Sequence, residues 1–212
     1  WSEARNIGPT INSKYWESQP TISPNGRELY FVSNRPGGFG DMDIWKSVLS
    51  EQGTFSTPVN LGSTINTPYD EMSPFIHTDN KNLYFASNGH PGLGDFDLFL
   101  SRRDYPVASW QNPINLGYPI NSPYDEKNIS LTLDGSSGFI SSIREGGFGK
   151  YDIYKISYLN EPVRRVIYLV DFLDPKTQKA YDNLNLEIYN QDEMLIGKYL
   201  PNNQTGIFTI IL

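Results

Sequence analysis

Apolar residues along this chain come in short runs broken by Gly, Pro, Asn and Asp, without the three-to-four spacing that marks an amphipathic helix. Residues 28–34 carry Leu29, Tyr30, Phe31 and Val32 in succession, the pattern of a strand covered on both faces. Residues 20–23 form a briefer run that ends at Pro24-Asn25-Gly26, a turn needing a residue that tolerates positive φ. Residues 43–49 mix Ile44, Ser47 and Val48 with polar positions. Residues 55–61 are interrupted by Pro58, which suits an outer edge strand, because proline donates no ladder hydrogen bond. The set predicts four short strands joined by turns.

That set recurs. Ile7-Gly8-Pro9-Thr10-Ile11-Asn12 returns as Leu61-Gly62-Ser63-Thr64-Ile65-Asn66 and as Leu116-Gly117-Tyr118-Pro119-Ile120-Asn121. Glu17, Glu71 and Glu126 then coincide, the last two within Pro68-Tyr69-Asp70-Glu71 and Pro123-Tyr124-Asp125-Glu126. Leu29-Tyr30-Phe31-Val32-Ser33-Asn34 matches Leu83-Tyr84-Phe85-Ala86-Ser87-Asn88, and more loosely residues 138–143. Gly37-Gly38-Phe39-Gly40-Asp41-Met42-Asp43-Ile44-Trp45 aligns with residues 91–99 and 146–154. The offset is 54 residues, then 55. Four antiparallel strands at this period predict β-propeller blades, so the fold class read here is all-β. Three blades fall short of the four to eight that close a ring, and Trp1 aligns with Phe55 and Trp110 on an outer strand. The expectation is therefore a longer protein with blades upstream, which also fits a chain opening at Trp1 without a signal peptide.

The combination of Ser-Pro, Asn-Gly or Asp-Gly, Leu-Tyr-Phe-x-Ser and Gly-x-Asp-Ile-Trp resembles the WD40-like PD40 repeat, related to the TolB-type propeller. With Asn-Leu-Gly-x-x-Ile-Asn and Tyr-Asp-Glu between blades, residues 1–158 are similar to repeats in OmpA-family envelope proteins of Bacteroidetes. The third copy departs, with Ile129 for Pro74, Gly138 for Leu29 and Leu83, and Lys150 for Asp41 and Asp95; it reads as a terminal blade with a weaker second strand. The repeat stops after residue 158, and residues 159–212 form a second unit. Strand patterns cover residues 163–173, 185–189, 194–199 and 205–210, with a turn at 174–177. Thr205-Gly206-Ile207-Phe208 resembles a strand of carboxypeptidase regulatory-like modules, implying a partial β-sandwich cut at Leu212. In similar envelope proteins a peptidoglycan-binding domain follows, one such architecture being a periplasmic component of type 9 secretion.

Composition narrows the chemistry. Aromatic residues reach 14%, with 18 Gly and 15 Pro, while charged residues are 19%, a mix that favours turns and strands. A net charge of −7 argues against nucleic acid as a partner, and no apolar run is long enough to span a bilayer as a helix. The chain has no cysteine, which removes thiol nucleophiles and disulfides. His77 and His90 lie 13 positions apart without HExxH spacing and are read as exposed turn residues. No cofactor is expected.

The acids that repeat are the candidate sites. Asp41 with Asp43, and Asp95 with Asp97, are weak calcium candidates: two carboxylates fall well short of the six to eight oxygens calcium takes, and Lys150 breaks the third copy. Asp43, Asp97 and Asp152 are read instead as caps on the backbone amides of a tight turn. Trp16, Glu17, Tyr69, Asp70, Glu71, Tyr124, Asp125 and Glu126 precede each innermost strand. They would form an acidic, aromatic-flanked channel mouth, or else lock neighbouring blades together. Glycoside hydrolysis needs two unlike acids, and identical acids in every blade do not supply them. The expected function is thus a non-catalytic periplasmic scaffold associated with the outer membrane. Other envelope proteins would be its partners, with peptidoglycan reached only through a domain outside this chain. The alternative is a propeller binding carbohydrate or peptide at its mouth.

Overall fold

The structure, a computed structural model, describes residues 1–104, 109–158, 167–179, 181, 184, 186–191, 193, 195–199 and 208–211. Every regular element among them is a β-strand. Repeat 1 contains β1 (Glu17–Ile22), β2 (Glu28–Ser33), β3 (Asp43–Val48) and β4 (Val59–Asn60), paired antiparallel in that order. Repeat 2 has the same order in β5 (Glu71–Ile76), β6 (Asn82–Ser87), β7 (Asp97–Arg102) and β8 (Ile114–Asn115). Repeat 3 has β9 (Glu126–Leu131), β10 (Ser137–Ser142) and β11 (Asp152–Ser157), with no fourth strand among the described residues.

The unbroken apolar run of β2 follows from its position. Alternate side chains point to opposite faces, and both faces are packed. Tyr30, with Ile44 of β3, joins Ile65, Leu83, Phe85 and Phe99 in the seam with repeat 2. Leu29, Phe31 and Trp45 turn the other way and pack with Ile11. Tyr84, Phe96 and Leu98 of repeat 2 in turn meet Ile129 and Ile140 of repeat 3. In each Leu-Gly-x-x-Ile-Asn connection the isoleucine is an apolar wedge, and Ile65 is fully buried, which contributes about 1.5–3 kcal/mol.

Several boundaries differ from expectation. The first strand begins at Glu17, not at residue 20, because the segment preceding the turn pairs with the far end of β2 across a bulge: Glu17 faces Ser33. The fourth strand shrinks to Val59–Asn60. Around Pro58 the edge is held by single contacts, a Leu49–Phe55 bridge and the Ser47 hydroxyl donating to the Ser56 carbonyl at 2.6 Å. The histidines are not exposed turn residues. His77 is 2% exposed, with Nδ1 3.1 Å from Asp79, and His90 packs against the stacked pair Phe85 and Phe99. Burial would raise the Asp79 pKa, but His77 and the Lys81 and Asn82 amides outweigh it and hold it at about 2.

Beyond residue 158 the described segments form two antiparallel pairs. One joins β12 (Ile167–Val170) to β15 (Phe208–Ile211), the other β13 (Leu186–Tyr189) to β14 (Leu195–Tyr199). Asp174 caps the Lys176 and Thr177 amides in the expected turn. The boundary at residue 159 and Thr205-Gly206-Ile207 lie outside the described residues.

Candidate functional site

The repeated glutamates open β1, β5 and β9, where the chain leaves the inter-repeat loop. Each carboxylate is taken up by its own repeat. Glu71 accepts from the Thr67 amide (2.6 Å), the Thr67 hydroxyl (2.7 Å) and the Ser87 hydroxyl (2.7 Å). Ser122 and Ser142 make the same set on Glu126, and Ser13 and Ser33 on Glu17. Arg35 completes the cluster at Glu17 (2.9 Å) and Arg144 at Glu126 (2.8 Å). Glu71 and Glu126 have no exposed surface, so they do not line an open mouth. Seen from sequence, an acid ahead of a strand looks solvent-facing. The hydroxyl residues four before and sixteen after each glutamate are what bury it.

Repeat 2 departs at one point. Gly89 stands where repeat 1 has Arg35, and His90 reaches the Ile65 carbonyl (2.8 Å) that an arginine reaches in the other repeats. Burial pushes the Glu71 carboxyl up to about 7 against the pull of its hydroxyl and amide donors, with Asp43 adding repulsion. At Glu17 burial also raises the pKa, but the Ser13, Ser33 and Arg35 bonds outweigh it and hold the carboxyl below its ordinary value.

Asp70 and Asp125 reach the preceding repeat, where Asp70 accepts from the Met42 amide (3.1 Å) and Asp125 from the Phe96 amide (3.4 Å). The neighbouring Glu71 and Glu126 amides donate to the Met42 and Phe96 carbonyls, both at 2.7 Å. Asp125 also accepts from the Tyr151 hydroxyl (2.6 Å), which burial and that bond push up to about 12. Trp16 occupies the equivalent place in repeat 1. Asp43, Asp97 and Asp152 each accept from two successive loop amides: Phe39 and Gly40, Leu93 and Gly94, Phe148 and Gly149. Burial raises the Asp43 and Asp97 pKa values against those amide bonds. Asp41 and Asp95 are exposed while Asp43 and Asp97 are buried. Among the described residues no three His, Cys, Asp or Glu side chains gather into a metal-sized group.

Two groups went unremarked in the sequence. Asn66 pairs with the backbone of β3 as a strand would, accepting from the Ile44 amide (2.9 Å) and donating to its carbonyl (3.0 Å). Asn121 does the same at Leu98. Their recurrence at Asn12, Asn66 and Asn121 was the available signal. The second group is a polar chain over the innermost strands. Gln19 accepts from the Ser73 amide (2.6 Å), and the Ser73 hydroxyl donates to Asn128 (2.8 Å). All three sit at bulges with φ of 51–54°. No residue-type rule marks positions this varied.

With the repeated glutamates turned inward, apolar and aromatic groups are exposed beside them. Trp16 (56%), Tyr69 (61%) and Tyr124 (37%) are exposed at the starts of the innermost strands. Phe39, Leu93 and Phe148 are exposed on the loops between the second and third strands. The two sets adjoin: a Cβ on Gly40 would fall 1.7 Å from the Tyr69 carbonyl oxygen, and one on Gly94 2.1 Å from that of Tyr124.

No protein-family model matches the chain, and no curated protein matches it. Among solved structures it is similar to a puromycin-hydrolysing peptidase of Mycobacterium tuberculosis, at 13% identity and a TM-score of 0.44 over 89% of this chain. It spans about a third (33%) of that peptidase's length. It is also similar to an alpha-L-arabinofuranosidase from Lactobacillus brevis, at 12% identity and a TM-score of 0.47, over 97% of this chain and 91% of that one. At these identities neither protein's chemistry transfers to this chain.

Proposed function

We propose that the chain is a non-catalytic protein-interaction scaffold, built of β-propeller blades, whose working surface is the face carrying Phe39, Tyr69, Leu93, Tyr124 and Phe148. The observation that carries this reading is the division of labour among repeated residues. Glu17, Glu71 and Glu126, with Asp43, Asp70, Asp97 and Asp125, are consumed in bonds within and between repeats, and the apolar side chains beside them are left exposed. Exposed apolar groups repeated in one place mark interaction surfaces. Resemblance to WD40-like PD40 repeats of OmpA-family envelope proteins supports a periplasmic setting at the outer membrane, with other envelope proteins as partners and type 9 secretion as the machine served.

The experiment is capture of envelope proteins on the immobilised chain, compared with a Phe39→Ala, Tyr69→Ala, Leu93→Ala variant. All three positions are exposed, so the variant should melt with the parent. A partner retained by the parent and lost by the variant supports the scaffold. Undiminished capture by the variant overturns this face as the working surface. A melting temperature raised by an oligosaccharide or a cationic peptide, following RT ln(1 + [L]/Kd), would favour a ligand-binding propeller instead.

A further inference from the structure

The two seams between repeats are built alike but neutralised differently. Where repeat 2 meets repeat 1, Asp70 accepts from the Met42 amide (3.1 Å) and the Glu71 amide donates to the Met42 carbonyl (2.7 Å). Asp43 lies across that seam with the Phe39 and Gly40 amides on its carboxylate. Where repeat 3 meets repeat 2, Asp125, Glu126 and Asp97 hold the same places against Phe96, Leu93 and Gly94. Each seam thus gathers a carboxylate from the earlier repeat and two from the later one.

The seam between repeats 2 and 3 carries two cations. Arg144 lies 2.8 Å from Glu126, and Lys127 lies 3.8 Å from Asp125 with its ammonium over the Phe96 ring. In the seam between repeats 1 and 2 both places are uncharged, with Met72 for Lys127 and Gly89 for Arg144. A Cβ on Gly89 would fall 1.8 Å from Thr67 Oγ1, so an arginine there would displace the hydroxyl that donates to Glu71. Glu71 faces Thr67 and Asp70 from its own loop, Ser87 from β6 and Asp43 from repeat 1. His90, the next titratable side chain after β6, is turned to the Ile65 carbonyl and the Phe85 and Phe99 rings. Among the described residues no cation pairs with Asp43, Asp70 or Glu71.

A neutral Glu71 suits this site, since its acid hydroxyl and its carbonyl oxygen are both matched by the Thr67 and Ser87 hydroxyls. An ionised Glu71 is a buried charge with a like charge across the seam and no cation beside it, an arrangement that separation of the two repeats relieves. Burial, with Asp43 adding repulsion, sets the changeover at about pH 7.

We propose that the seam between repeats 1 and 2 is a proton-operated latch, closed while Glu71 holds its proton and loosened when the proton leaves, whereas the seam between repeats 2 and 3 stays closed. Loosening parts the Met42 loop from Asp70 and Glu71. Phe39 and Tyr69 stand on the two sides of this contact, where Gly40 abuts the Tyr69 carbonyl. The latch therefore also governs the part of the exposed face that these two residues share, a consequence that rests on that face being the working surface.

Native-state amide exchange of the 212-residue chain at pH 5 and pH 8, read as protection factors so that the intrinsic pH dependence drops out, tests the latch. Protection at Met42 and Glu71 should fall about tenfold or more at pH 8 relative to Phe96 and Glu126. Glu71→Gln does not ionise and should keep its pH 5 protection, and Met72→Lys, which supplies a cation of the other seam, should lessen the fall. Melting at pH 5 checks that both variants keep the fold. No fall in the parent, an equal fall at all four amides, or the full fall in either variant each overturns the proposal. Partner capture at the two pH values separates this from the working surface: capture that persists while protection at Met42 falls counts against the Phe39–Tyr69 part of that face and leaves the latch standing.

Discussion

Two buried carboxylates of this chain behave in opposite ways, and the difference lies in the cations beside them. Glu71 has hydroxyl and amide donors with Gly89 in the place of an arginine, and its folded pKa is raised from 4.5 to about 7. Between those values the unfolded chain has released the proton while the folded chain still holds it. Stability therefore falls as pH rises through that window and levels off above it. The shift corresponds to about 3 kcal/mol. Denaturant unfolding at pH 5 and pH 8 should show this loss in the parent and not in Glu71→Gln; an identical slope in both proteins would remove Glu71 as its source. Glu28 has Arg103 on both oxygens and Lys46 at 3.1 Å. Burial raises its pKa, but those cations outweigh it and hold it below 4.5. Its contribution is present above the unfolded value and is lost as pH falls through the folded one. Arg103 comes from repeat 2 and also donates to the Asn80 carbonyl (2.9 Å). Arg103→Met leaves the buried carboxylate to Lys46 and the Tyr30 hydroxyl and should cost about 3 kcal/mol at neutral pH, with Glu28→Gln in the same chain recovering part of it.

At the scale of elements, the repeated loops do as much as the strands they connect. Asn66→Ala strands the buried Ile44 amide and leaves its carbonyl to the Leu61 amide alone, and should cost about 1–3 kcal/mol by thermal or denaturant unfolding. Asn121→Ala should cost the same, since its bonds to Leu98 match; a neutral effect at either site would show that water replaces the side chain there. Gly40→Ala should destabilise and Gly149→Ala should not, because only Gly40 lies against the next repeat's backbone. These elements show how far the sequence could be read. Strand order and period were legible because residues 54 and 55 apart repeat in type as well as polarity, and the glycine-rich turns fall between them. The burial of Glu71 and Glu126 was not, because it depends on hydroxyls contributed by a loop and by a neighbouring strand. The early start of β1 and β5 was hidden by bulges at Gln19 and Ser73, whose positive φ leaves no mark in residue type. Burial of His77 is hidden for a similar reason: it adjoins a polar turn, and its contacts with Phe75, Asp79 and the Thr132 carbonyl of repeat 3 form only in the folded chain.

At the scale of the molecule, stability passes from seam to seam, since the described repeats pack mainly on their neighbours. Repeat 2 has a neighbour on each face: β6 is buried at every position but Asn82, and β7 at every position but Arg102. Among the described residues repeat 3 has one, and β11 has no buried position at all. Amide hydrogen exchange in native conditions should rank the strands accordingly, with β6 and β7 opening only in global unfolding and β11 opening at far lower free energy. Protection of β11 equal to β6 in dilute solution would mean that its outward side is already covered within one chain.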